Sequence, residues 1–175
     1  MNRFVSFSFS LLGLLSLASL AACAPNEPLA VAENVDLARF QGQWWEIAKL
    51  PRIAETNCTR TRAFYTLRDG GLDLENECHV DKPDGQLRTR SMRATVAESS
   101  SQLTLNVSGF TGDYWILEVG EHYEYAVIGV PSRDYLWILN RTPKMEKGQL
   151  DTLVAHAKEK KFDTSRLEFT VQTGD

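Results

Sequence analysis

Side chains able to do covalent or metal chemistry are few in this sequence and poorly grouped. His79, His122 and His156 are scattered without metal-ligand spacing, and Cys23, Cys58 and Cys78 are too few for a disulfide-built scaffold. No Ser/His/Asp grouping and no zinc motif accompanies them, so no nucleophile has a base to activate it. The expectation is no catalytic residue, no cofactor and no metal. What remains suits non-covalent work. The hydroxyls of Tyr65, Tyr114 and Tyr135, near an opening, could hold a carboxylate or phosphate head group. Arg90 or Arg93 could do the same, although surface arginines are more often simply solvated. Nineteen Lys+Arg against 23 Asp+Glu give a formal charge of −4, with no basic excess for a phosphate backbone, so nucleic acid is excluded as a partner.

Positioning these groups falls to β-strands. The 175 residues, 43% hydrophobic and 24% charged, have the balance of one globular domain. Short segments of β-favouring composition follow one another between Gly, Pro, Asp, Asn and Ser clusters. They predict strands at Gln43–Leu50, Thr59–Leu67, Leu72–Val80, Leu87–Ala97, Gln102–Ser108, Asp113–Val119, Tyr123–Val130 and Tyr135–Arg141, with a short ninth at Leu167–Gln172. Alternation is clearest in Thr59–Leu67, where Thr61, Ala63, Tyr65 and Leu67 face one way and Arg60, Arg62 and Thr66 the other. Asp69-Gly70-Gly71 supplies a hairpin turn, after which Leu72, Leu74 and Asn76 continue the inner face.

The later strands are apolar on both faces, so something must cover their outer side. Met145–Lys161 has helical composition, with Leu150, Leu153, Val154 and Ala157 at i, i+3, i+4 and i+7. The expected fold is all-β: an eight-stranded antiparallel up-and-down barrel with one C-terminal helix packed outside. A sandwich is the alternative that periodicity alone leaves open. Alternation turns Ala48, Ala63, Tyr65, Leu74, Ala94, Leu105, Tyr114, Ile116, Ala126, Ile128, Tyr135, Trp137 and Leu139 inward. Many of these are small, which leaves room for a slender apolar ligand, unless small and large residues merely match the barrel's taper. Glu46 and Glu118 share the inward parity. A buried carboxylate needs a partner or a proton, and Arg141 is the candidate partner; a wet barrel end would equally serve either.

The first 22 residues stand apart. Arg3 precedes an uncharged run, Phe4–Ala22, rich in Leu, Phe, Ser and Ala, which reads as a secretory signal rather than a membrane-spanning helix. Its end, Leu20-Ala21-Ala22-Cys23, resembles the lipobox of bacterial lipoproteins, in which the Cys is acylated and becomes the first residue. With Ala24 rather than Asp following, the resemblance implies the outer membrane of a Gram-negative cell, with the domain facing the periplasm. Residues 23–34, containing Pro25 and Pro28, read as lipidated end and tether, and 35–175 as the folded domain.

The stretch Asp36–Pro51, containing Gly42-Gln43-Trp44, looks like the first signature of lipocalins. Tyr125–Val127, Pro131–Leu139 and Asn140-Arg141-Thr142-Pro143 follow in order. The resemblance runs from about Val35 to Val171 and is nearest to bacterial outer-membrane lipocalins and their apolipoprotein D-like relatives. Trp45 in place of a commoner Tyr, and Arg90-Ser91-Met92-Arg93 in place of a glycine-containing stretch, depart from the pattern. The resemblance implies a barrel closed at one end and open at the other, with fatty acids or lysophospholipids as ligands. It places Gly42 and Trp44 at the closed end, with Arg141 across Trp44 as a structural lock. It also implies a Cys58–Cys78 disulfide, which an exported domain would keep. Simple alternation puts Cys78 inward and Cys58 outward, so that bridge requires a bulge or an irregular start to the second strand. Two functions remain: a membrane-anchored carrier of small hydrophobic molecules, or an envelope protein whose filled barrel is a platform for partners. Trp115 and Leu117 would mark a homodimer face if the helix leaves them bare.

Overall fold

The computed structural model describes residues 27–172. The leader (1–22) and Cys23 lie outside the described residues. A short helix, α1 (Leu37–Phe40), precedes eight strands: β1 (Gly42–Lys49), β2 (Cys58–Arg68), β3 (Gly71–Val80), β4 (Leu87–Ser99), β5 (Gln102–Val107), β6 (Phe110–Val119), β7 (Tyr125–Gly129) and β8 (Leu136–Asn140). Helix α2 (Lys147–Glu159) and a two-residue strand, β9 (Glu168–Phe169), follow. Each strand pairs antiparallel with the next, and β1 pairs with both β8 and β2, which closes the barrel and decides against a sandwich. The β1–β2 seam is short, running from Gly42↔Tyr65 to Trp45↔Arg62. Beyond it β9 pairs with Ala48 and Lys49, and the Gln172 side-chain amide donates to the carbonyls of Glu46 and Thr61. The C-terminal segment thus fills the gap where β1 and β2 part.

Two apolar clusters hold the domain. The inner one stacks Phe40, Trp44, Tyr65, Leu72, Leu103, Ile116 and Ile128 inside the barrel. The outer one packs Leu153 and Ala157 of α2, with Phe162, on Ile47, Leu117, Val127, Leu136 and Ile138. The four-residue stripe of α2 therefore faces the wall as its periodicity predicts, and Leu117 is covered, so the dimer face drawn from it is withdrawn. Among the described residues no helix is long and apolar enough to cross a membrane.

Three expectations need correction. Register shifts between Glu46 and Ala48 in β1 and between Ile116 and Glu118 in β6 each add one residue against the neighbouring strand. Beyond these bulges the parity inverts: Ala48 joins the outer cluster, and Glu118 faces outward, where it accepts from Tyr125 Oη and lies 3.0 Å from His156 Nδ1 of α2. Nor is the tether free of the barrel from Glu27 onward. Leu29 is buried, the Ala32 amide donates to the Ile116 carbonyl, and Ser101 Oγ donates to the Ala32 carbonyl, because apolar Leu29 and Val31 have a wall to cover.

Candidate ligand-binding site

The closed end is built first. Asp36 caps α1 by accepting from the amides of Ala38 and Arg39, which turns the chain across the barrel base. Phe40 and Trp44 then plug it, with the Trp44 indole donating to the Phe40 carbonyl at 2.8 Å. The Arg141 guanidinium lies 3.7 Å from the Trp44 ring centroid and donates to the carbonyls of Tyr123, Gln43, Arg39 and Phe40. Gly42, at φ +93°, makes the turn beneath it. A side chain there would be strained, and its Cβ would stand 3.4 Å from Arg141 Nη1.

The opposite end is open. A cavity of about 670 Å³ is bounded by the β1–β2 connection, β3, β4, β5, the start of β6 and Tyr135. Its apolar lining comes from Met92, Leu105, Val107 and Phe110, and its cationic lining from Arg52, Arg88 and Arg90. Beneath it a narrow pocket of about 20 Å³ descends between Ala63, Tyr65, Leu74, Tyr114, Trp137 and Leu139. Arg52 borders both: its guanidinium lies 4.9 Å from the Trp137 ring centroid and 5.0 Å from that of Tyr135, and bonds Glu55 at 2.9 Å. Among the described residues Arg88 and Arg90 have no carboxylate within ion-pairing distance. Thr61 Oγ1 and Asn76 Oδ1, which belong to residues bordering both cavities, are buried without a hydrogen-bond partner.

Several inward residues are therefore deeper than a ligand at the mouth. Of the thirteen positions named from alternation, Leu105 and Tyr135 border the large cavity, and Ala63, Tyr65, Leu74, Leu105, Tyr114, Trp137 and Leu139 the narrow pocket. Ala94, Ile116, Ala126 and Ile128 sit in solid core, where neighbouring large residues take up the room their small partners leave. Ala48 is outside, and Tyr135, 41% exposed, stands at the rim rather than inside because β8 begins only at Leu136. Tyr65 and Tyr114 cannot serve a head group at the mouth. Their hydroxyls bond each other at 2.5 Å, and burial pushes both phenols well above their ordinary range. Arg93 is turned to the outer surface, paired with Asp73 at 2.6 Å, whose carboxyl is held below its usual range by Arg93 and Arg68.

Glu46 is buried, but its partner is not Arg141. It accepts from Thr170 Oγ1 at 2.5 Å and lies 3.5 Å from Lys49 Nζ, which also faces Glu55 at 3.7 Å. Burial, reinforced by the Glu55 charge, raises its carboxyl to about 7. Sequence reasoning missed Arg52 and Phe110 because both lie in stretches read as connections. Asn76 and Met92 did carry a signal, since they share parity with Leu74 and Ala94. Cys58 and Cys78 are bonded, and the irregular start of β2 appears as Arg60 at φ +49° within a register shift between Thr59 and Arg62. Among the described residues no three His, Cys, Asp or Glu side chains converge in a way that could hold a metal ion.

Comparison with known proteins agrees with this architecture. Apocrustacyanin C1 superposes with a TM-score of 0.66 at 18% identity, covering 82% of this chain and 83% of that one. Temperature-induced lipocalin-1 of Arabidopsis thaliana is 36% identical over 155 residues, with 83% of each chain covered. The outer membrane lipoprotein Blc of Vibrio cholerae is 32% identical over 151 residues, covering 83% of this chain and 88% of its own. The family described as "Lipocalin-like domain" matches residues 35–172, and with these relatives it establishes that the chain belongs to the lipocalin family.

Proposed function

We propose that the protein is a membrane-anchored carrier that binds one small amphiphile non-covalently, tail in the mouth cavity and anionic head at the rim. The observation that carries this is the cavity of about 670 Å³, within the usual size of small-molecule sites, whose apolar lining meets Arg88 and Arg90. Two guanidinium groups at an opening, among the described residues neither facing a carboxylate and Arg88 held only by long bonds to the Thr56 carbonyl and Cys58 Sγ, are suited to a carboxylate or phosphate. Thr61 Oγ1 and Asn76 Oδ1 add sites for a hydroxyl, as in the glycerol of a lysophospholipid; Asn76 Oδ1 can only accept. Fatty acids and lysophospholipids are the ligand classes we infer.

Anchoring rests on the lipobox-like Leu20–Cys23, supported by similarity to a bacterial protein named an outer membrane lipoprotein. Acyl chains on Cys23 would contribute roughly 0.8 kcal/mol per buried CH₂, enough to hold the domain at a bilayer without a spanning segment. The placement we infer is the periplasmic face of a Gram-negative outer membrane. The test is native mass spectrometry of the natively purified protein, followed by identification of released molecules. A co-purifying fatty acid or lysophospholipid is the expected result. An empty protein that also fails to bind such lipids on titration would overturn the carrier and leave the barrel as a platform for partners.

A further inference from the structure

Among the described residues the two most exposed large apolar side chains are Ile53, 97% exposed, and Phe110, 79% exposed. Both stand at the open end, Ile53 in the β1–β2 connection and Phe110 where β5 turns into β6. The other two connections at that end carry one each: Leu87, 49% exposed, after the β3–β4 turn, and Tyr135 between β7 and β8. Apolar tips spaced around a ring do not form the flat, continuous patch of a protein interface, and each meets water over its surface.

The course of the N-terminal segment bears on the same end. Arg133, in the β7–β8 connection, donates to the Glu27 carbonyl at 2.6 Å. From there the chain descends the outer wall past Leu29 and Ala32, and reaches the closed end where the Asp36 amide donates to Tyr123 Oη. The polypeptide therefore arrives at the domain beside the mouth. Cys23 precedes Glu27 by four residues, which span at most about 14 Å.

We propose that the open rim docks on a lipid bilayer, with Ile53 and Phe110 entering its surface, so that the cavity opens directly onto the membrane. Tethering rests on Cys23 being acylated, as proposed above: an anchor within that reach of the rim holds the mouth, not the closed end, against the bilayer. Arg88 and Arg90 then lie at the depth of the phosphate groups. Amphiphile passes between bilayer and cavity without crossing water.

The experiment uses the full chain, exported, processed and reconstituted in vesicles of phosphatidylethanolamine and phosphatidylglycerol. A single added thiol, Ile53→Cys or, at the closed end, Asp69→Cys, carries an environment-sensitive fluorophore; Cys58 and Cys78 are bonded and do not react. The expected result is a blue shift at position 53 with quenching by bromine-labelled phospholipid, and neither at position 69. A position-53 probe that stays in water, or equal quenching at both positions, overturns the proposal. The mass of the N-terminal peptide reads acylation separately. If Cys23 is unmodified, the anchor reading fails alone, and the same two variants carrying Cys23→Ser as well, so that the added thiol is again the single reactive one, are labelled and added to the same vesicles from solution. A shift at position 53 then sustains docking, and no shift refutes it. In a second variant, Ile53→Asp with Leu87→Asp, transfer of a fluorescent lysophospholipid from vesicles slows severalfold with its affinity in solution unchanged; an unaltered transfer rate counts against docking.

Discussion

Arg141 at the barrel base and Glu46 in the buried β1 wall are both charged groups held by the fold, and they make opposite demands on it. Arg141 is a fork that satisfies four carbonyls at the base while covering Trp44, and partial burial lowers its ordinary pKa. With the two firm, part-buried hydrogen bonds to Tyr123 and Gln43 worth about 1 kcal/mol each, the exposed or long ones to Arg39 and Phe40 less, and a cation–π contact about 0.5–2, Arg141→Met is expected to cost about 3–4 kcal/mol in urea unfolding. Ligand affinity should not change, since the cavity is at the other end. A loss well below 1 kcal/mol would show that water replaces the guanidinium at no cost. Glu46 is buried at a price: its carboxyl rises from 4.5 to about 7, first through burial, then through Glu55, against the pull of Lys49 and Thr170. Between those values the folded state holds the proton that the unfolded state has released, so stability falls as pH rises through this window and levels off above it. The drop is of order 3 kcal/mol, and Glu46→Gln, which keeps an acceptor for Thr170, should abolish it. Urea midpoints from acid to alkaline pH that decline equally in both proteins would assign the effect elsewhere.

Strand periodicity revealed eight strands in order and the outer stripe of α2, because both follow from repeated one-residue choices between core and water. It failed where a single residue was added. The bulges after Glu46 and after Ile116 invert Ala48 and Glu118, and neither has a turn residue or glycine to announce it, since a bulge is decided by the neighbouring strand. The site was legible in part for the same reason. Parity found the narrow pocket from Ala63 to Leu139, but could not find Arg52 or Phe110, whose places depend on how connections fold over the mouth. Alternation likewise ignores depth, so it could not tell Ile128, in solid core, from Leu105, at the cavity. Packing between elements is testable at Gly129, where β7 passes under Phe162. A Cβ there would meet Leu117 Cδ1 and Phe162 Cζ at 2.7 Å each. Gly129→Ala should cost about 1–3 kcal/mol by overpacking, and Phe162→Leu roughly 1–2 by lost contacts. The double variant should be less destabilised than the sum by at least about 0.5 kcal/mol, because the shortened side chain vacates the space the new methyl needs. Additive costs would mean that the strain falls on Leu117 or the β7 backbone instead.

At the scale of the molecule, stability and binding occupy different ends of one barrel. The lower part is packed solid around Phe40 and Trp44, the outer wall is covered by α2 and the Leu29 segment, and the upper part keeps a cavity that its side chains do not fill. On the carrier reading, this division sets a limit on ligand length. A tail entering past Arg88 and Arg90 runs along Met92 and Leu105, then meets a floor of Arg52 and Trp137, whose ring lies 5.7 Å from that of Tyr114. Each methylene housed above that floor should add about 0.8 kcal/mol, or roughly fourfold in affinity, and further methylenes should add nothing. Affinity across a homologous series of saturated fatty acids should therefore rise and then level off. Met92 is only partly buried and, like Arg52, borders both the cavity and the narrow pocket below it, so Met92→Ala should open a way past the Arg52 side of that floor at modest cost to folding. In that variant the plateau should move to longer acids, while the shortest acids bind as before or slightly more weakly for want of the thioether. A plateau that stays in place would show that Arg52 and Trp137 alone end the tail's path, with Met92 no part of the floor.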